Sequence, residues 1–338
     1  MFKFEELLNG SNFAKSSDFI FSEIVSYQEF LKLKSINKKL IIFQEYNQEK
    51  FNAVWYINPL IKISDNHVIF CHTELVELLF QLIKGTSVKN LKLITHMSDR
   101  SIDRKLYFKK PTAISEWYGV NVVYKCKNLH SIPLGINNLY NLKNINKEIL
   151  IRYFLGNFTE FKNKKNIIYS NFNPETNRKH RYSALEKTKN VKKLLRDSNK
   201  SLEEYYSNLS EYKFIFCPWG NGIDTHRFWE ALYLNSVPIT KFHEMYQSFK
   251  EFPKILVDDY KNLESFIDDY NHKNLQIEAL KIDYWMKRIN KLKIPSGNTL
   301  FLDLSKQIHK RIRFILIYRK FKSIYKKIIF YVYKFFKS

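Results

Sequence analysis

The sequence predicts an α/β protein with a mainly parallel sheet covered by helices on both faces. Three observations predict it. Short apolar runs alternate with helical patterns along most of the 338 residues, the pattern of strands joined by crossover helices. The chain is long enough to bury one large core or two ordinary ones. The stretch Tyr212–Thr240 joins a strand, a glycine-bearing turn and a helix, a unit that recurs in such folds.

Residues 1 to about 37 read as helices and loops without legible chemistry. Lys39–Phe43, Ala53–Ile57 and Val68–Cys71 are strand candidates. A helix follows from Thr73, with Glu74 and Glu77 in its first turns and Leu75, Leu78, Leu79 and Leu82 as its apolar face. Leu91–Thr95 is a strand running into His96-Met97-Ser98-Asp99. Ala113–Trp117, Val120–Tyr124 and Leu129–Ile136 continue the alternation. Asn- and Lys-rich sequence over 137–166 is the expected linker. Asn166–Tyr169 opens a second unit as a strand, and Arg181–Tyr206 reads as one long charged helical stretch. Lys254–Val257 is a further strand, followed by helices to about Tyr270 and over Leu275–Leu292.

Within the central unit, Phe214–Cys217 is a buried strand and Pro218–Gly222 a turn holding two of the eight glycines. A helix runs from Thr225 to about Leu234, with Asp224 at the N-cap position. Asn235 tolerates the left-handed conformation that ends a helix, and Val237–Ile239 begins the next strand. Free backbone N–H groups at such a turn form a natural anion site. Asp224, His226, Arg227 and Glu230 crowd there. Either Arg227 and Glu230 form a solvated ion pair, or the turn amides of Gly220, Asn221 and Gly222 hold phosphates with Arg227 while Glu230 accepts from a ribose. His226 either contacts sugar or phosphate, or is packed structurally.

Composition narrows the classes. Cys71, Cys126 and Cys217 are far apart and give neither a zinc spacing nor a disulfide framework, which implies a reducing compartment. The start MFKFEELLNG lacks the apolar segment of a signal peptide, and no run approaches the ~18 apolar residues of a membrane span. A formal charge of +23 invites an anionic partner, so its distribution matters. From Lys306 to Ser338 there are eleven Lys or Arg and no acid. On a helix, Phe314, Ile317, Phe321, Ile324, Tyr325, Ile328, Val332 and Phe335 share one face, with the cations largely opposite. That is a basic amphipathic helix suited to an anionic membrane surface. A terminal helix packed on the second unit is the plainer alternative.

Four stretches together resemble the exostosin-like glycosyltransferases, nearest to the branch of ribitol xylosyltransferase and its bacterial and viral relatives, and more weakly the fucosyltransferases. Asn221-Gly222-Ile223-Asp224-x-His226-Arg227-x-Trp229-Glu230-Ala231-Leu232 followed by Val237-Pro238-Ile239 resembles the family signature. Thr95–Asp99 resembles its "THNSD", Ser131–Asn138 its "IPIGLxN", and Asn171–Asn177 with Arg178 and Arg181 its "NFSINTNxxxR". The likeness spans roughly residues 66 to 265. It departs at Trp219, Thr225, Phe228 and Asn235, where the family carries a smaller or basic residue, Cys, Thr and Gly.

The resemblance implies the GT-B fold, two Rossmann-like domains with a cleft between them. The expected division is 1–145 for an N-terminal acceptor domain, 146–305 for a nucleotide-sugar domain and 306–338 for the basic amphipathic helix. It also implies transfer of a hexosyl or pentosyl group from a nucleoside-diphosphate donor, UDP for preference, with inversion. The acceptor would be a growing capsule or lipopolysaccharide glycan, free or lipid-linked. The enzyme would be cytoplasmic and peripheral on the inner face of the membrane.

Such chemistry needs a base, charge to stabilise the departing diphosphate, and a dry cleft. Asp99 is the first choice of base and His96 the second, both just past a strand, although Asp99 could simply cap a turn and His96 could be a satisfied core residue. Arg178 and Arg181 are candidates for the diphosphate, or a solvated face. No Asp-x-Asp occurs, so no metal and no cofactor beyond the nucleotide-sugar are expected. Two rivals stand beside this expectation. One is a nucleic-acid-binding protein, disfavoured because the charge concentrates in the tail. The other is an inactive glycan-assembly factor of the same fold.

Overall fold

The computed structural model describes residues 3–22, 25–26, 42–45, 53–56, 60–137, 147–154, 159–198, 201–290 and 298–303. The expected amphipathic helix over 306–338 lies outside the described residues. Among those described, no helix is long and apolar enough to cross a membrane.

Two five-stranded parallel sheets organise the chain. The first contains β1 (Phe19–Phe21), β2 (Val68–His72), β3 (Leu91–His96), β4 (Ile114–Gly119) and β5 (Leu129–Ser131), in sequence order. The second contains β6 (Lys165–Ser170), β7 (Leu194–Arg196), β8 (Tyr212–Phe216), β9 (Val237–Lys241) and β10 (Ile255–Val257), ordered β7-β6-β8-β9-β10. Both are parallel throughout. The Rossmann-like α/β expectation therefore holds at the level of two parallel-sheet units.

Strand periodicity sorts the core. Ile69, Cys71 and Leu93 face one layer with Val76, Leu79, Phe80 and Ile83, whereas Phe70 and Ile94 face the other way. In the second sheet Ile168, Phe214 and Phe216 face outward onto Leu263 and Ile267, and Tyr169 and Ile215 face inward. The inner faces share one cluster with Phe13, Trp229 and Trp285, so apolar packing is continuous from one sheet to the other.

Helices cover these layers. They include α1 (Gly10–Lys15), α2 (Val76–Ile83), α3 (Lys147–Phe154), α4 (Arg178–Lys187), α5 (Leu202–Glu211), α6 (His226–Tyr233) and α7 (Ile282–Ile289). Asn9 caps α1 by accepting from Asn12 N at 2.8 Å. Helix α7 returns to the first unit and packs on α1. Thr299–Asp303 pairs antiparallel with Leu60–Ser64, so the chain expected to end the second unit finishes on the first.

Several sequence expectations change. The most buried face of α2 is Val76, Leu79, Phe80 and Ile83, with Leu78 and Leu82 half-buried against the same cluster and Leu75 buried in a 3-10 turn over Thr73–Leu75 that precedes the helix. The charged stretch 181–206 is broken into α4, the edge strand β7 and α5. The expected linker contains α3, whose Phe154 is fully buried against Tyr206 and Tyr233 at ring distances of 5.0 and 5.4 Å. Burying a side chain of that size contributes ~2 kcal/mol, which a linker would forgo. Val120–Tyr124 forms no strand.

Candidate functional site

The carboxyl ends of both sheets open on one cavity of about 850 Å³. Ligands of open α/β sheets sit past those ends, where strand order reverses. In the second sheet the order reverses between β6 and β8. Asn171, Asn173 and Thr176 line the cavity after β6, and the Gly220–Arg227 turn does so after β8. The first sheet supplies His96, Met97, Ser98 and Asp99 after β3, and Leu134 and Asn137 after β5. Arg181 of α4, Leu202 and Tyr205 of α5, and Glu230 of α6 complete the lining.

The structure thus brings together ten of the residues singled out from sequence: His96, Asp99, Arg181, Gly220, Asn221, Gly222, Asp224, His226, Arg227 and Glu230. Arg178 is not among them. Its exposed guanidinium pairs with Glu175 one turn away, with Nε donating at 2.7 Å, so it belongs to a solvated face.

His96 is buried at the end of β3. Its Nδ1 accepts from Met97 N at 2.8 Å and its Nε2–H donates to Pro133 O at 3.2 Å. Burial holds it neutral, pushing its pKa down to about 3. With both nitrogens engaged, it has no lone pair left for a substrate proton. His96, expected second as the base, is therefore a structural residue that ties the end of β3 to Pro133. Asp99 differs: it is exposed at the cavity edge, and its carboxylate makes no hydrogen bond or ion pair among the described residues.

Asp224 does not cap α6; Thr225 occupies the N-cap position. The Asp224 carboxylate is buried and accepts from Leu134 N at 3.0 Å, Thr225 N at 2.9 Å and the Trp229 indole at 2.9 Å. Burial nevertheless outweighs these donors and lifts its pKa to about 7. Its backbone N–H donates to Asn121 Oδ1 at 3.0 Å. Asp224 is thus a brace between the two units, not a ligand for a donor. Gly222 serves the same brace. A Cβ there would lie 2.7 Å from Asn121 Nδ2, so its missing side chain admits Asn121 and not only a ligand.

Glu230 forms no ion pair with Arg227. It accepts from Tyr205 Oη at 2.8 Å and Tyr206 Oη at 3.2 Å. Burial and the nearby Glu230 charge push both phenols well above their usual range, so each stays a donor. A carboxylate has about four acceptor sites, so capacity remains. His226 Nδ1 lies 2.7 Å from Gly135 O. A carbonyl only accepts, so Nδ1 carries the proton and Nε2 of the neutral ring keeps its lone pair.

The cationic side holds two guanidinium groups that make no direct ion pair among the described residues, although Glu230 and Tyr205 lie close enough to favour the Arg227 charge. Arg181 is buried and donates to Trp219 O at 3.0 Å and Asn173 O at 2.7 Å. Burial and the neighbouring Arg227 guanidinium lower its pKa to about 10. Arg227 Nε and Thr225 Oγ1 are buried without a hydrogen-bond partner among the described residues. The backbone N–H groups of His226 and Arg227 begin α6 at the same place. Buried donors without partners cost free energy unless something fills them. Two repelling guanidinium groups and a helix N-terminus suit an anion. Among the described residues, no group of three or more His, Cys, Asp or Glu side chains could hold a metal ion.

Tyr205, Leu202, Asn121 and Asn171 were not foreseen as site residues. The "NF-N" stretch hinted at Asn171, whereas Tyr205 lay inside what read as a continuous charged helix, where no local pattern marks a cavity-facing position. Comparison with models of known protein families and with curated proteins finds no match to this chain.

Proposed function

We propose that the chain is a glycosyltransferase of GT-B architecture, transferring a sugar from a nucleoside-diphosphate donor to a surface glycan. One observation carries it: the cavity at the strand-order reversal holds Arg181, Arg227 and the N-terminus of α6, and the first sheet brings the Asp99 carboxylate to the same cavity. In the proposed reaction, Arg181, Arg227, Thr225 Oγ1 and the first N–H groups of α6 bind the diphosphate. Leu202 and Tyr205 offer apolar surface to the nucleoside, and Glu230 accepts from ribose hydroxyls. An acceptor hydroxyl oxygen attacks the anomeric carbon as the carbon–oxygen bond to the diphosphate breaks. The diphosphate leaves with the electron pair, and its growing charge falls on the guanidinium groups. The hydroxyl proton passes to Asp99, the cavity carboxylate without a partner among the described residues. A UDP donor and inversion at the anomeric carbon are the preferred forms.

The test is calorimetric titration of the full chain with UDP and GDP, with and without Mg²⁺. Binding of one nucleotide is expected, weakened at least about tenfold in Arg227→Met, the order of effect for one charge-assisted contact. A folded chain that binds neither nucleotide overturns the proposal.

A further inference from the structure

Phe108 is the most exposed large hydrophobic side chain among the described residues, at 66%. It ends the short helix Arg104–Tyr107, in the loop that leaves β3. The loop that leaves β4 brings Val123, 40% exposed, and Tyr124, whose ring lies 6.0 Å from that of Phe108. Arg104, Lys105, Lys109, Lys125 and Lys127 are all exposed around them, Lys109 paired with Glu77 and Lys125 with Glu244 at 3.6 Å. Residues 104–127 hold six Lys or Arg against one carboxylate, Glu116. That carboxylate is occupied by Tyr118 Oη at 2.7 Å and His130 Nε2 at 2.9 Å. Lys110 is tied to the Ile114 carbonyl, so Arg104, Lys105 and Lys127 are the cations of the plateau without an ion pair among the described residues.

We infer that this plateau is a membrane-contacting surface of the folded body, with Phe108 entering the acyl boundary and the surrounding cations meeting anionic lipid headgroups. A protruding apolar side chain ringed by long cationic side chains is what an interfacial contact requires. Each Lys or Arg near such a surface strengthens the attraction to anionic lipid. A single-stranded nucleic acid would instead stack its bases on open aromatic faces. Here the Tyr107 ring stacks on buried Trp117 at 6.3 Å, Arg104 lies over the Phe108 ring at 5.6 Å, and Val123 has no π face. Position matters as well. Both loops leave carboxyl ends of strands in the sheet that opens on the cavity, and the first of them carries Asp99. A lipid-linked acceptor would enter there. The inference concerns contact with a bilayer and stands whether or not the cavity transfers sugar.

The terminal basic segment could bind vesicles unaided, so the experiment reads insertion at the plateau itself in the full chain. Phe108→Trp is compared with Tyr182→Trp, an exposed aromatic of the second unit at 46%, each after subtracting the emission of the parent protein. The vesicles are phosphatidylcholine with phosphatidylglycerol, carrying bromine in the acyl chains. The expected result is quenching at position 108 and none at 182. That quenching falls several-fold in Phe108→Trp with Lys105→Glu and Lys127→Glu, and on phosphatidylcholine alone. Equal quenching at both positions, or none at 108, overturns the inference. So does quenching at 108 that charge reversal leaves unchanged. A larger change in the 108 signal with single-stranded RNA than with vesicles assigns the surface to nucleic acid instead and also overturns it.

Discussion

Asp99 and His96 lie three residues apart after the same strand, yet their environments give them opposite fates. His96 sits between Phe13 and Phe70, with ring centroids at 5.6 and 6.5 Å, and both nitrogens are spent on backbone partners. Asp99 is exposed and free of partners among the described residues. The other cavity carboxylates are engaged: Asp224 by Leu134, Thr225 and Trp229, and Glu230 by two tyrosines. A base must have a lone pair that the fold has not already used. Asp99→Asn is therefore expected to lower transfer by ~100-fold or more while leaving nucleotide affinity within about twofold, because general-base effects are of that order and the donor contacts lie across the cavity. Full activity in Asp99→Asn, with loss in His226→Gln, would move the base to His226 Nε2.

At the scale of elements, the turns matter more than the strands they join. Gly135 has φ +69, and a Cβ there would lie 2.0 Å from Leu8 O. That approach lets Ile136 N donate to Leu8 O at 2.9 Å and puts Gly135 O against His226. Gly135→Ala must shift backbone, not a flexible side chain, and should cost more than about 2 kcal/mol in urea unfolding. Gly85 also has positive φ but has open space around it, so Gly85→Ala carries only the conformational cost of about 1 kcal/mol. These turns also mark how far the sequence could be read. The strand–turn–helix at 212–240 was legible, including Asn235, which adopts φ +56 after α6, because its signals are local. Edge strand β7 was not legible, since three residues among lysines carry too little pattern to interrupt a helical reading. The apolar face of α2 was legible but wider than expected, adding Val76, Phe80 and Ile83 to the leucines. Neither the Asp224–Leu134 bond nor the Gly222–Asn121 approach could be seen, because their partners are about a hundred residues apart and meet only when the units do.

Across the whole molecule, the two sheet units are joined by a polar seam as well as a continuous core. Asp224 reaches Leu134 and Asn121, and His226 reaches Gly135. Tyr233 Oη accepts from Leu8 N at 2.7 Å and donates to Leu280 O at 2.6 Å. The one acidic group in this seam has a folded pKa of about 7 against an ordinary carboxylate value of about 3.9. Between those values the folded protein keeps a proton that the unfolded chain has released. The contribution of Asp224 to stability is therefore fully present below about pH 4 and is lost as pH rises through about 7. From pH 5 to pH 8 the loss is at most ~3 kcal/mol, two pH units at ~1.4 kcal/mol each. Buried His96 acts in the opposite direction, since its folded pKa is depressed and its contribution fades as pH falls below about 6.5. That opposition hides the seam in the parent protein alone, but it is common to parent and variant. Asp224→Asn should be less stable at pH 5, because its amide NH₂ faces donors where a carboxyl oxygen accepted. Its unfolding free energy should fall less than the parent's between pH 5 and pH 8. Parallel pH profiles for the two proteins would mean that Asp224 is already ionised when folded, held so by Leu134, Thr225 and Trp229. The seam would then be a fixed charge brace, indifferent to pH in this range.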